Sequence, residues 1–126
     1  MRARISNIGT QFGEPLESVQ VEKRENFHEW VRAQIGPTPG QGEEIFDFLV
    51  CSPEWVNEEC RRTGYFMARR VLIVPQWDPD LVKKAIEYVV SLVTADTWQE
   101  IASTLSSIAS WEFEDYQDVG NTGASA

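Results

Sequence analysis

Histidine occurs once and cysteine twice in the 126 residues, and 11 Lys and Arg face 20 Asp and Glu. Each scarcity closes a class of function. His28 has no second imidazole, and Cys51 and Cys60 follow no zinc-ligand spacing, so a His/Cys metal cluster is excluded and no cofactor is expected. A lone His with no nucleophile near it in the chain forms no catalytic triad, and no GxSxG turn is present. The Gly36–Gly42 stretch is rich in Gly and Pro, but no Lys-Ser/Thr pair or helix follows it, so it is not a phosphate loop. Apolar runs such as 71–75 are too short to cross a bilayer. Arg2 and Arg4 have no apolar segment behind them, so no secretory leader is expected. The expected compartment is the cytoplasm, with both cysteines as reduced thiols.

The deficit of basic residues leaves a formal charge of -9 and a pI near 4.5. Nucleic-acid binding is largely phosphate neutralisation by Lys and Arg, and anionic membranes repel an acidic chain, so neither is an expected partner. Two readings of the acidity stand: solubility alone, or steering toward a basic protein.

What is present is a core-forming composition, 42% hydrophobic with five Trp, in a chain of single-domain length. Arg2 to Thr10 reads as an opening strand with Ala3 and Ile5, and less clearly Asn7, on one side. Gln11 to Glu25 reads as a loop. Phe27 to Ile35 alternates cleanly, with Phe27, Glu29, Val31, Ala33 and Ile35 on one face and His28, Trp30, Arg32 and Gln34 on the other. Gly36 to Gly42 should stop that strand and turn the chain. Glu43 to Cys51 follows as the second strand of a hairpin, with Phe46, Phe48 and Val50 as its core face.

Ser52-Pro53-Glu54 reads as a helix start, and Gly64 as its end, giving a short helix that carries Trp55, Val56 and Cys60. Arg69 to Val74 is a third strand, with Pro75 marking its exit. Asp78-Pro79-Asp80 starts a helix whose apolar stripe runs from Leu81 to Val93, and Thr97 to Glu100 fits a capping box for a last helix reaching Ala109. The expected fold is α+β: an antiparallel sheet of about three to four strands, covered on one face by the two C-terminal helices, with a short helix after the second hairpin strand. One domain over residues 1–118 and a frayed tail over 119–126 are expected.

Acidic residues are the candidate functional groups. Asp47 stands on a strand face that is otherwise largely apolar, and Glu43, Glu44 and Glu54 are near it in sequence. Glu112, Glu114, Asp115 and Asp118 follow Trp111, with Phe113 and Tyr116 among them. An acidic–aromatic surface suits a basic partner, and the ordinary alternative is a solvated face and tail. Phe46, Phe48, Val50 and Trp55 are the expected structural residues.

The stretch Gly42-Glu43-Glu44-Ile45-Phe46-Asp47-Phe48-Leu49-Val50-Cys51-Ser52-Pro53-Glu54-Trp55 resembles the Immunity protein 8 family of bacterial polymorphic toxin systems. There, a strand ending near FDxxVCxPxW leads into a short helix carrying a Trp, here Trp55. The similarity extends over most of residues 1–110, from the opening strand to the helix after Arg69–Val74. The resemblance implies a non-enzymatic α+β protein that neutralises a cognate toxin domain in the cytoplasm by stoichiometric binding. A basic, nuclease-type toxin is the partner that the acidity suits. Two alternatives stand beside it. A ligand-binding or enzymatic domain using carboxylates around Asp47 needs a deep polar pocket. A structural subunit needs a large symmetric apolar interface.

Overall fold

The computed structural model describes residues 1–113; the expected boundary at residue 118, the tail over 119–126, and Glu114, Asp115 and Asp118 lie outside them. Along the chain come β1 (Arg2–Gly9), β2 (His28–Thr38), β3 (Glu44–Cys51), α1 (Pro53–Thr63), β4 (Val71–Ile73), α2 (Pro79–Ser91), α3 (Trp98–Leu105) and β5 (Ser110–Trp111). The fold is α+β. The strands form one sheet in the order β1-β2-β3-β4, with β5 also paired to β3.

The β2–β3 hairpin is antiparallel, with Val31 opposite Phe48 and Ala33 opposite Phe46. Opposed residues share a face, so Val31, Ala33, Ile35, Phe46, Phe48 and Val50 all point inward, and all are buried. Val82, Ile86 and Val90 of α2 and Ile101, Ala102 and Leu105 of α3 complete one cluster with them. Both helices therefore cover the same face of the sheet. α1 contributes no buried residue. It reaches the sheet at one end, where the Trp55 ring packs on His28 at 4.8 Å with a tilt of 32° and meets Phe66 edge-on at 5.3 Å.

Several expectations are corrected. β2 runs on through Gly36 and Pro37 to Thr38 because β1 pairs with it there, Arg4 opposite Gly36 and Arg2 opposite Thr38. β3 does not reach that far, so Pro37 sits where the strand is paired on one side, the place a strand tolerates proline. Gly36 is needed for a close approach: a Cβ there would lie 1.9 Å from the Gly42 carbonyl oxygen. A bulge between Ile5 and Asn7 turns Ile8 inward opposite Ala33 and leaves Asn7 on the outer face, opposite Gln34. The segment from Gln11 to Glu25 contains a 3-10 turn at Leu16–Ser18, and Leu16 is only 1% exposed.

β4 is shorter than expected and runs parallel to β3, a pairing made possible by α1, which returns the chain to the same end of the sheet. The last helix stops at Leu105, and the chain turns into β5, which places Trp111 opposite Phe46 and Ser110 opposite Asp47.

Helix starts follow the expected chemistry. The Asp78 side chain accepts from Leu81 N–H at 3.2 Å, and the Thr97 side chain accepts from Glu100 N–H at 3.2 Å. The Glu100 carboxylate in turn accepts from the Thr97 hydroxyl at 2.9 Å. Ser52 does more than cap. It is fully buried, and its Oγ accepts from Trp55 N–H at 3.3 Å and from Phe27 N–H at 3.1 Å. The Ser52 amide in turn donates to the Phe27 carbonyl at 3.1 Å. One hydroxyl thus starts α1 and ties the entry of β2 to the exit of β3. Ser52→Ala removes a cap and strands a buried N–H, for an expected loss of about 2–3 kcal/mol. Thr97→Ala, at an exposed cap, should cost about 1 kcal/mol. Urea unfolding of the two variants measures the difference.

Candidate acidic surface

Helices cover one face of the sheet, so the opposite face carries the alternate residues of each strand. There β2 presents Trp30, Arg32 and Gln34, and β3 presents Ile45, Asp47 and Leu49. Trp30 is 44% exposed, and Ile73 of β4, on the same side, is 49% exposed. Arg32 lies directly opposite Asp47 and grips it with both ends of its fork: Nε to Oδ1 at 2.9 Å and Nη2 to Oδ2 at 3.0 Å. The Asp47 side chain is 17% exposed and that of Arg32 is 32% exposed, so this bidentate pair is partly desolvated. The hydrogen bond to Asp47 is also the main cause that raises the Arg32 pKa. An Asp held this way, with each oxygen occupied, is poorly placed to act as an acid or base.

The other expected acids divide into two places. Glu43, Glu44 and Glu112 meet at the start of β3. Glu43 accepts from the Ser6 hydroxyl and faces the Arg4 guanidinium at 3.7 Å. Glu44 accepts from the Trp111 indole N–H at 2.8 Å. Glu112 Oε1 accepts from Ile45 N–H at 2.8 Å, and its own amide donates to the Ile45 carbonyl at 3.1 Å. Trp111 stacks parallel to Phe46 at 6.1 Å and meets Phe113 edge-on at 5.9 Å. Trp98 joins Phe46 edge-on at 6.3 Å. Two clefts, of about 410 and 500 Å3, share Glu44 and Trp98 as lining, the first bounded also by Gly42 and Glu43, the second by Trp111 and Phe113. Glu54 is elsewhere, on α1 at the far end of β3, paired with Arg61 at 3.0 Å.

The start of β3 thus gathers three of the expected acids beside three aromatic rings, with Asp47 a short step along the same strand. Among these four carboxylates, two face guanidinium groups, of Arg4 and Arg32. The other two accept from neutral N–H groups, and Glu112 also lies close enough to Arg32 to interact with its charge. No three His, Cys, Asp or Glu side chains among the described residues are grouped to hold a metal ion. None of the described helices is long and apolar enough to cross a membrane. Cys51 is buried, and burial pushes its thiol up to about 11.

Three residues at the other end of β2 were not singled out from the sequence. β1 ends at Gly9, opposite Arg32, and the chain from Thr10 folds back beside the part of β2 that runs past it. A cleft of about 280 Å3 results, lined by Thr10, Gln11, Phe12, Glu14, Ser18, Val19, Glu29 and Trp30. A Trp on the polar face of an alternating strand was the available signal for Trp30. Phe12 and Glu14 sit in a loop and gave no periodic signal.

Burial pushes the Glu29 carboxyl above its ordinary value, a shift opposed by His28. Its folded pKa is above its unfolded one, so its ionisation weakens folding as pH rises through the carboxylate range. Glu29→Gln should therefore be more stable than the parent at pH 7, and the difference should vanish below about pH 3, where the carboxyl is protonated in both states. Thermal melts at the two pH values check this.

No curated protein and no solved structure matches the chain significantly. The family model described as Immunity protein 8 matches residues 3–116. That span takes in the described sheet from its second residue onward, all three helices and the acidic, aromatic start of β3, and on it the chain belongs to the Immunity protein 8 family.

Proposed function

We propose that this protein neutralises a cognate toxin domain by binding it, without catalysing a reaction, and that the acidic, aromatic start of β3 is part of the surface that binds. The observation that carries the reading is family membership over residues 3–116, joined to the convergence of Glu43, Glu44 and Glu112 with Trp98, Trp111 and Phe113. Aromatic residues beside charge are what interface cores and their rims use. Glu114, Asp115 and Asp118 are further candidate contacts of the same acidic segment and lie outside the described residues. Asp47 would contribute through its pair with Arg32, as a fixed polar contact more than as a free charge. Glu54, at the other end of the sheet, would lie at the rim.

A basic toxin, of the nuclease type, suits a partner of charge -9. Covering its active surface would suffice to stop it, and the meeting place would be the cytoplasm, where such a toxin acts. The carboxylate-enzyme reading around Asp47 loses ground because Arg32 occupies both oxygens of that residue.

The test uses the toxin domain encoded beside this chain. Co-expression should protect cells, and the purified pair should associate. Glu43→Gln/Glu44→Gln keeps hydrogen-bonding ability and removes two charges. Its association rate should fall about tenfold at low salt, with the difference closing near 0.5 M salt. Failure of the parent pair to associate defeats the reading; an unchanged rate in the variant defeats the acidic contact surface.

A further inference from the structure

The cleft between the Thr10–Val19 segment and the end of β2 has the make-up of a binding site and is used by nothing described above. The residues that line it include two aromatics, Phe12 and Trp30, and two acids, Glu14 and Glu29, with Trp30 on the outer face of β2 and Glu29 on the inner one, so that they border the cleft from the two sides of the strand edge. Phe12 is 87% exposed and Trp30 44% exposed, a cost in exposed apolar surface that the fold does not recover elsewhere. Neither carboxylate has an ion-pair or hydrogen-bond partner for its side chain among the described residues, whereas Glu17 close by is paired with Lys83.

The loop that carries Phe12 is built to hold its shape. Thr10 N–H donates to the Glu14 carbonyl at 2.8 Å, and Gly13 N–H to the Thr10 carbonyl at 3.0 Å. The Thr10 hydroxyl accepts from Phe12 N–H at 3.2 Å and from Glu14 N–H at 3.0 Å. Gly13 takes a φ of 82°, which closes the turn, and Arg32 Nη1 donates to the Gln11 carbonyl at 3.3 Å. An exposed ring on a loop this tightly hydrogen-bonded is presented, with its ordering cost already met in the free protein.

We propose that this cleft receives one cationic side chain, an arginine or a lysine, from a protein partner. On the reading above that partner is the toxin, and the inference rests on that reading for the partner's identity alone. Ring faces attract a cation through their quadrupole, and the carboxylates supply the opposite charge. At about 280 Å3 the space is smaller than most small-molecule sites, which take roughly 300–1,000 Å3, and suits a single long side chain. Desolvation of Glu29, opposed only in part by His28, points the same way: burial disfavours its charge, and an incoming cation would favour it.

The test has two arms. In the first, the full chain is titrated with N-acetyl-arginine methylamide, its lysine counterpart and the neutral citrulline isostere, followed by amide and indole NMR resonances. Arginine or lysine should shift Thr10–Glu14, Glu29 and the Trp30 indole saturably, and citrulline should not. Phe12→Ala and Glu14→Gln/Glu29→Gln should each weaken the effect about threefold or more. Equal shifts with citrulline, shifts scattered over other acids, or no saturable shift at these positions overturn the proposal. In the second arm, Glu14→Gln/Glu29→Gln should loosen the toxin complex about tenfold or more, while the variant folds at least as stably as the parent. Unchanged affinity overturns the proposal and leaves the immunity reading intact. A parent chain that does not bind the toxin overturns the immunity reading, and the titration then judges the cleft by itself.

Discussion

β3 is the strand on which the rest of the structure depends. Its inward residues, Phe46, Phe48 and Val50, are each at most 3% exposed, and a slip of one residue would exchange all of them for Ile45, Asp47 and Leu49. That burial fixes the register against β2, and the register then places Asp47 directly opposite Arg32 on the uncovered face. Its other edge is shared: β4 pairs along Leu49–Cys51 and β5 along Phe46–Asp47, so neither half is left as an exposed edge. At one end Ser52 caps α1 and holds Phe27; at the other, Glu44 and Glu112 are drawn against Trp111 and Ile45. One buried alternation thus organises both the core and the acidic surface.

The same geometry separates two ways of using negative charge. Asp47 and Glu43 are placed beside guanidinium groups and act mainly inside the molecule. Glu44 and Glu112 accept from neutral donors and have no guanidinium in direct contact, though Glu112 also feels the charge of Arg32. Among the described residues Glu14 and Glu29 have no hydrogen-bond or ion-pair partner for their side chains, and they line the same cleft as the exposed rings of Phe12 and Trp30. A chain selected for solubility alone has no need to place unpaired carboxylates beside exposed Phe and Trp. The run of residues from the cleft at Glu29 to the acidic end at Glu44, opposite Ile35, covers roughly 20 Å of strand, within the reach of one protein partner.

Much of this was legible in the sequence. Strict alternation in Phe27–Ile35 and in Phe46–Val50 identified the hairpin and its buried face, and Ser52, Asp78 and Thr97 announced the helix starts by side-chain chemistry alone. What was not legible depends on partners distant in the chain. β2 continues through Pro37 because β1 lies beside it, β4 is parallel because α1 carries the chain back, and β5 exists because β3 had an open edge. Leu16 gave no period and is buried all the same, because its 3-10 turn folds back onto the core. The acids were found by composition and the FDFLVCSPEW stretch, but their division into paired and unpaired groups is a matter of register. Phe12 and Glu14, on a loop, had no signal of their own.

The central claim is that a partner engages the acidic start of β3 together with the cleft beside the other end of β2. Hydrogen–deuterium exchange of the full chain, free and bound to the toxin domain encoded beside it, tests that most directly. The account predicts slowed exchange in residues 10–14, 29–32, 43–47 and 110–113 on binding. Protection confined to the outer face of α2, where Leu81, Tyr88 and Leu92 are exposed, would contradict it.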